Sequence, residues 1–215
     1  EKKGRNDSLI QYLLFTVAGF LSGSILYSYM IAKYFCRIDI TEVSDDKNPG
    51  AANVIKHAGV KYGIPAIILD VLKGFIPIYL ASKHLDIESL YFIPVLAAPV
   101  LGHATAPLFN WHGGKAIASS FGCLLGLMPN SYIVLVLAML LFFFTFFVII
   151  RPNSLRCIVS YAIFTMYCLR YCPIPGIRYG SILISIIVIV KHLKGYENTK
   201  VTLHFGPWEQ LKKII

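Results

Sequence analysis

Residues 116–150 read AIASSFGCLLGLMPNSYIVLVLAMLLFFFTFFVII, thirty-five positions without one charged side chain. A membrane-crossing helix needs roughly 20 apolar residues, so this stretch holds two short crossings, divided at Met128-Pro129-Asn130. Further charge-free runs cover 8–32, 89–114, 157–169 and 179–190, and an apolar segment over 64–80 contains Asp70 and Lys73. The pattern predicts an all-α polytopic membrane protein with about seven transmembrane helices. They fall at about 9–33, 62–81, 90–103, 115–128, 132–150, 156–170 and 177–192. Three of these are short, so five spans with re-entrant pieces is the alternative count. The chain reads as one integral membrane domain over 1–215, with 193–215 as an interfacial cytoplasmic tail carrying Trp208 and paired lysines.

Composition agrees. The 215 residues are 56% hydrophobic and 14% charged, with a mean hydropathy of +0.65. A soluble domain carries about 25% charged residues, and runs this apolar could not stay solvated as a disordered chain. The first run has a basic start at Lys2, Lys3 and Arg5. It is too long for the central region of a signal peptide, and no small-residue cleavage site follows, so it reads as a span.

Lys and Arg in the short loops set the orientation. With the N-terminus outside, the inner side receives Lys33, Arg37, Lys47, Lys56, Lys61, Lys115, Arg151, Arg156, Lys191, Lys194, Lys200, Lys212 and Lys213. The outer side receives Lys2, Lys3, Arg5, Lys83, Arg170 and Arg178. Thirteen against six predicts N-out and C-in. The net charge of +9 is then a match to anionic lipid headgroups. Nucleic-acid binding needs a soluble basic face with interleaved aromatics, and there is none. Five cysteines, odd in number, have neither zinc spacing nor a disulfide pattern; Cys168 and Cys172 alone are spaced to pair.

Three polar segments interrupt the apolar text. In the first, an acidic turn, Ser44-Asp45-Asp46-Lys47, runs into Asn48-Pro49-Gly50-Ala51-Ala52-Asn53. Asn48-Pro49-Gly50 is a tight turn, and the residues after it can open a helix whose free amides face an anion. Alone, the stretch also suits a solvated loop. The second is Gly102-His103, then Asn110-Trp111-His112-Gly113-Gly114-Lys115 and Ser119. Paired glycines let backbone approach a ligand, and a lysine at a helix mouth supplies a point charge for phosphate. It is not a Walker loop, because the spacing is wrong and no strand precedes it. Alone, it equally suits a glycine-broken turn with a snorkelling lysine. The third is Asp70-Val71-Leu72-Lys73-Gly74. Its two charges lie one helical turn apart, and a self-neutralising pair is the cheaper way to hold charge in a membrane, whether as a brace between helices or as a site. Arg151 and Arg156 read as headgroup anchors, and His192 as an interfacial residue. A short echo, Gly23-Ser24-Ile25-Leu26 and Gly180-Ser181-Ile182-Leu183, reads as helix packing.

Together these elements resemble the acyl-phosphate:glycerol-3-phosphate acyltransferases, the PlsY family, over about 23–197. The matching pieces are Gly23-Ser24-Ile25, Asp39-Ile40, Asn48-Pro49-Gly50-Ala51-Ala52-Asn53 and Asp70-Val71-Leu72-Lys73-Gly74. They continue with Leu101-Gly102-His103, Pro107, Gly113-Gly114-Lys115, Ala118-Ser119, Arg151-Pro152-Asn153-Ser154 and Gly195-Tyr196-Glu197. The resemblance implies a multi-pass enzyme of the bacterial inner (cytoplasmic) membrane, with its site at the cytoplasmic face. It would move a fatty acyl group from acyl phosphate to the hydroxyl of glycerol 3-phosphate, giving lysophosphatidic acid and phosphate in phospholipid synthesis. Lys115, His103, Asn53 and Ser119 would form the catalytic set. Asn48, Gly50, Gly113, Gly114, Asp70, Lys73, Arg151, Ser154 and His192 would bind or brace substrate. No cofactor and no metal are implied, and the partners are the two substrates and membrane lipid. Acyl phosphate carries a good leaving group, so positioning and charge stabilisation replace a strong protein nucleophile.

The chain also departs from the family. Thr41 replaces an Arg after Asp-Ile, and Ser44-Asp45-Asp46-Lys47 replaces Gly-Ser-Gly with one residue more. Asp45 and Asp46 repel a phosphate unless they bind a cation or point away. Near the last motif, His192 is the sole histidine of its helix. The pattern is that of a divergent branch, with two alternatives: a non-catalytic or regulatory relative, or an acyltransferase with a different acceptor. A carrier of phosphorylated metabolites is a third class, but it calls for inverted halves, which the sequence lacks.

Overall fold

The computed structural model describes residues 2–196 and 200–206. Ten α-helices run in chain order among them: α1 Lys2–Ser24, α2 Tyr27–Met30, α3 Ile40–Val43, α4 Ala51–Ala58, α5 Val60–His84, α6 Phe92–Thr105, α7 Ile117–Leu125, α8 Ile133–Phe146, α9 Asn153–Tyr171 and α10 Pro175–Lys194. Two short strands, β1 Val148–Arg151 and β2 Thr202–Phe205, pair antiparallel, with Ile150 opposite Leu203.

Four segments are long and apolar enough to cross a membrane: Leu9–Phe35, Val60–His84, Phe92–Phe109 and Pro175–Lys194. They coincide with the spans read at 9–33, 62–81, 90–103 and 177–192. The first is not one straight helix. Leu26 leaves helical geometry at φ −94°, ψ 80°, α2 follows, and a wider helical turn over Ile31–Phe35 completes the segment. A break of this kind strips carbonyls of their helical partners, and the buried ammonium of Lys73 donates to one of them, Ile25 O.

Three expectations need correction. The fold is mostly helical rather than all-α. Val148-Ile149-Ile150, read as the end of a span over 132–150, forms β1, and α8 stops at Phe146. In a continuous apolar run, periodicity does not separate strand from helix, and the pairing partner lies far along the chain. The span read at 115–128 contains a nine-residue helix only, α7. Ala116, at φ 61°, holds back its start, and a turn at Gly126 precedes Pro129. The 193–215 tail contributes β2; Glu197, Trp208, Lys212 and Lys213 lie outside the described residues. All five cysteines are free, Cys168 and Cys172 included.

Helix α6 is the centre of the packing, with α1 on one side and α10 on the other. Small residues let the backbones close up. A Cβ on Gly23 of α1 would lie 2.0 Å from Pro99 O of α6, and one on Gly102 of α6 would lie 2.1 Å from Phe20 O of α1. Gly180, the other half of the echo, faces Leu96 of the same helix, so the packing reading of that echo holds. Helices α5 and α7 meet the same way, through Gly74 against Ser119 O and Gly122 against Val71 O. Phe92, Leu96, Leu137, Tyr161, Phe164 and Ile184 fill the core between α6, α8, α9 and α10.

The outer faces are apolar too: Leu13, Leu14, Ile64, Ile68, Phe142 and Met166 are exposed. Serines lie inside instead, and Ser24, Ser160 and Ser185 donate to carbonyls four residues back, on Phe20, Arg156 and Ser181. Apolar side chains outside with self-satisfied polar ones inside suit lipid as the surrounding medium.

Candidate active site

The first two polar segments meet. Asp39 caps α3, accepting from Thr41 N at 3.1 Å and from Tyr29 OH at 3.0 Å, and the loop beyond α3 turns back over the mouth of α7. Asn53 lies on the first turn of α4 and donates through Nδ2 to Asn48 O and to Asp46 Oδ1, both at 2.8 Å. Asn48 donates through its backbone N–H to the same Asp46 Oδ1 at 3.2 Å, and its Oδ1 accepts Lys115 N–H at 3.1 Å. Gly50 leaves the space this requires, because a Cβ there would stand 2.7 Å from Asn48 Nδ2. Lys115 completes the arrangement with Nζ 2.8 Å from Asp46 Oδ2.

Three donors of different origin therefore converge on one carboxylate: an ammonium, a side-chain amide and a backbone N–H. Asp46 and Lys115 are only 19% and 15% exposed. Burial pushes the Asp46 carboxyl up, but hydrogen bonds from Lys115 and Asn53, with the Lys115 charge, outweigh it and hold its pKa below the ordinary value. Asp45 points away to Lys56 at 2.8 Å. The two acids expected to act alike thus part company.

Behind Lys115, Gly113 and Gly114 press against the end of α6. Gly114 N–H donates to His103 O at 3.1 Å. A Cβ on Gly114 would stand 2.3 Å from His103 Nε2, and one on Gly113 2.2 Å from Ala104 O. Glycine is required here by close approach. His103 is buried, and its Nδ1 has no hydrogen-bond partner among the described residues. Lys191, at the end of α10, donates to Gly113 O at 2.9 Å. It reads in the sequence only as one more inner-side lysine; its position beside His192 in the last turn was the available signal.

The remaining candidates lie further out. Asp70 and Lys73 form a buried pair at 2.8 Å, with Ser28 donating to Asp70, and Lys73 is within electrostatic reach of His103. Ser119 is buried on the first turn of α7, its Oγ 3.4 Å from Pro99 O. His192 is buried, bonded through Nδ1 to Val188 O at 2.8 Å and within electrostatic reach of Lys115 and Asp46. Ser154 reaches Gly195 O at 3.5 Å, and Gly195 lies against the Lys115 side chain. Arg151 stands on β1, exposed, opposite Thr202, with no hydrogen bond to the cluster among the described residues. The geometry therefore gathers Asn48, Gly50, Asn53, His103, Gly113, Gly114 and Lys115, backs them with Asp70, Lys73, Ser119, Ser154 and His192, and leaves Arg151 apart.

Comparison with known proteins identifies the family. The sequence model of the family described as glycerol-3-phosphate acyltransferase matches residues 13–200. A glycerol-3-phosphate acyltransferase of Hydrogenobaculum sp. (strain Y04AAS1) is 35% identical over 184 residues, covering 86% of this chain and 90% of that protein. One of Fusobacterium nucleatum is 32% identical over 196 residues, covering 87% and 97%. Crystal structures of PlsY (YgiH), an integral membrane glycerol 3-phosphate acyltransferase, are similar in its glycerol 3-phosphate and lysophosphatidic acid forms. Their TM-scores are 0.74 and 0.72 at 29% and 27% identity, over 94% of this chain and 98% and 99% of those chains. The chain is a membrane protein and belongs to the glycerol-3-phosphate acyltransferase family.

Proposed function

We propose that this protein transfers a fatty acyl group from acyl phosphate to the primary hydroxyl of glycerol 3-phosphate, releasing lysophosphatidic acid and phosphate. One observation carries the reading: Lys115, Asn53 and the Asn48 N–H converge on a single anionic group beside Gly113 and Gly114. Both substrates are phosphate esters or anhydrides, and a cradle of this composition is what a phosphate needs. The hydroxyl oxygen bonds to the acyl carbon, the bond from that carbon to phosphate breaks, and the hydroxyl proton goes to a substrate phosphate oxygen. Lys115 neutralises phosphate charge, Asn48 and Asn53 donate, and His103 and Ser119 orient. Asp70 and Lys73 brace α5 against the first span, and Ser154 and His192 line the approach, while Arg151 stands apart on β1.

The same reading takes 1–215 as one domain with seven crossings of the bacterial inner membrane, N-terminus outside and C-terminus in the cytoplasm. The acyl chain then lies between helices, in contact with lipid. A second reading, a non-catalytic relative or one with another acceptor, is favoured by Asp46, which sits in the cradle as an anion of the protein's own. Phosphate release from palmitoyl phosphate by purified protein, with and without glycerol 3-phosphate, separates the two. Release that depends on glycerol 3-phosphate and disappears in Lys115→Ala is the expected result. Release indifferent to the acceptor, or none, would overturn the first reading.

A further inference from the structure

We infer that Asp46 is a built-in competitor for the phosphate cradle, a carboxylate that substrate must displace from Lys115, Asn53 and the Asn48 N–H. The inference rests on the proposed role of Lys115 in holding phosphate. Both oxygens of Asp46 are engaged: Oδ2 takes the ammonium at 2.8 Å, and Oδ1 takes the Asn53 amide at 2.8 Å and the Asn48 N–H at 3.2 Å. Each of these donors is one a phosphate oxygen would use. A lysine held by a carboxylate inside one hydrogen-bond length does not also accept a dianion at full strength, because the two anions repel at such separations. The carboxylate therefore leaves when phosphate enters, and apparent affinity falls by whatever its contacts are worth. Charge-assisted hydrogen bonds are the stronger kind. Losing such contacts as one unit, partly recovered in water, corresponds to about tenfold in affinity.

Asp45 supplies the internal control. It is the next residue on the loop, carries the same charge, and pairs with Lys56 away from the cradle. If the effect came from the charge of the loop, both acids would show it. If it comes from occupancy, only Asp46 does.

The experiment titrates inorganic phosphate against the thermal unfolding of the full chain in detergent, for the unaltered protein, Asp46→Asn, Asp46→Ser and Asp45→Asn. The expected result is a half-saturating phosphate concentration about tenfold lower in both Asp46 variants and unchanged in Asp45→Asn. Parallel titrations with glycerol 3-phosphate and with palmitoyl phosphate identify the occupant as the substrate whose affinity shifts. Equal or weaker phosphate binding by folded Asp46 variants would overturn the proposal, making Asp46 a positioner of Asn53 and Lys115. Failure of both variants to fold would overturn it too, as the mark of a structural brace. Acyl transfer is assayed alongside. Tighter phosphate binding without turnover in the unaltered protein removes the enzymatic reading and keeps the competitor. Turnover with unshifted phosphate binding does the reverse.

Discussion

Asp70 and Lys73, one turn apart on α5, bond at 2.8 Å with side chains 2% and 1% exposed, and Lys73 also caps the carbonyl that the break in the first span leaves open. The pair joins two helices through one cation. Removing a single partner strands a buried charge, which costs about 3–5 kcal/mol. Asp70→Asn is therefore expected to unfold well below the unaltered protein in a detergent thermal melt. The double replacement Asp70→Leu/Lys73→Met is expected to recover much of the loss, since it leaves no charge unpaired. A double variant no better than Asp70→Asn would count against the argument.

Gly114→Ala aims at the contact between the glycine turn and His103. Its Cβ would stand 2.3 Å from His103 Nε2, so the ring must move. Overpacking of this kind costs about 1–3 kcal/mol. Acyl transfer should fall further than stability does, because the ring packs on the glycine turn that carries Lys115. Adding His103→Ala to Gly114→Ala should restore the melting temperature but not turnover, a split that calorimetry and a phosphate-release assay read together.

Gly23→Val tests the central packing. The added Cβ meets the backbone Pro99 O at 2.0 Å, where no rotamer change relieves it. A loss of at least about 1–3 kcal/mol is expected, visible as earlier denaturation in a detergent titration. A neutral outcome would mean that α1 is not seated on α6.

Acid should act on Asp46. In the unfolded chain its carboxyl titrates near 4. When folded, it stays charged to lower pH, because Lys115 and Asn53 outweigh the cost of burial. The stability this group contributes is complete above the unfolded value and is lost as pH falls through the depressed one. The groups facing it are Lys115, Asn48 and Asn53, with His192 of α10 in electrostatic reach. The difference in stability between the unaltered protein and Asp46→Asn should therefore shrink below about pH 4. A difference that grows there would contradict the ion pair.

Much of this was legible in the residue string. Long charge-free runs marked two of the four long crossings, since lipid tolerates little else. An apolar stretch around Asp70 and Lys73 and a shorter clean run over 179–190 marked the other two. Glycine pairs and asparagines marked the turns that come together at Lys115. What stayed hidden depended on partners distant in sequence. β1 is invisible in an apolar run, because Val148-Ile149-Ile150 suits helix and strand equally until Thr202–Phe205 pairs with it. The capture of Asp46 was hidden for a similar reason. Adjacent acids look alike in sequence, and only the fold of the loop sends one to Lys115 and the other to Lys56.

The antiparallel ladder between β1 and β2 imposes an order on biogenesis. During synthesis β1 emerges before α9 and α10, and its edge waits for the segment beyond the last long helix. Pairing of Ile150 with Leu203, and Gly206 N–H closing on Phe147 O at 2.7 Å, thus records that α10 is already threaded. A chain stopped after Tyr196 would keep an open apolar edge, a template for a second chain. Such a product is expected to self-associate, as size-exclusion chromatography in detergent would show, so the ladder doubles as a seal on finished molecules.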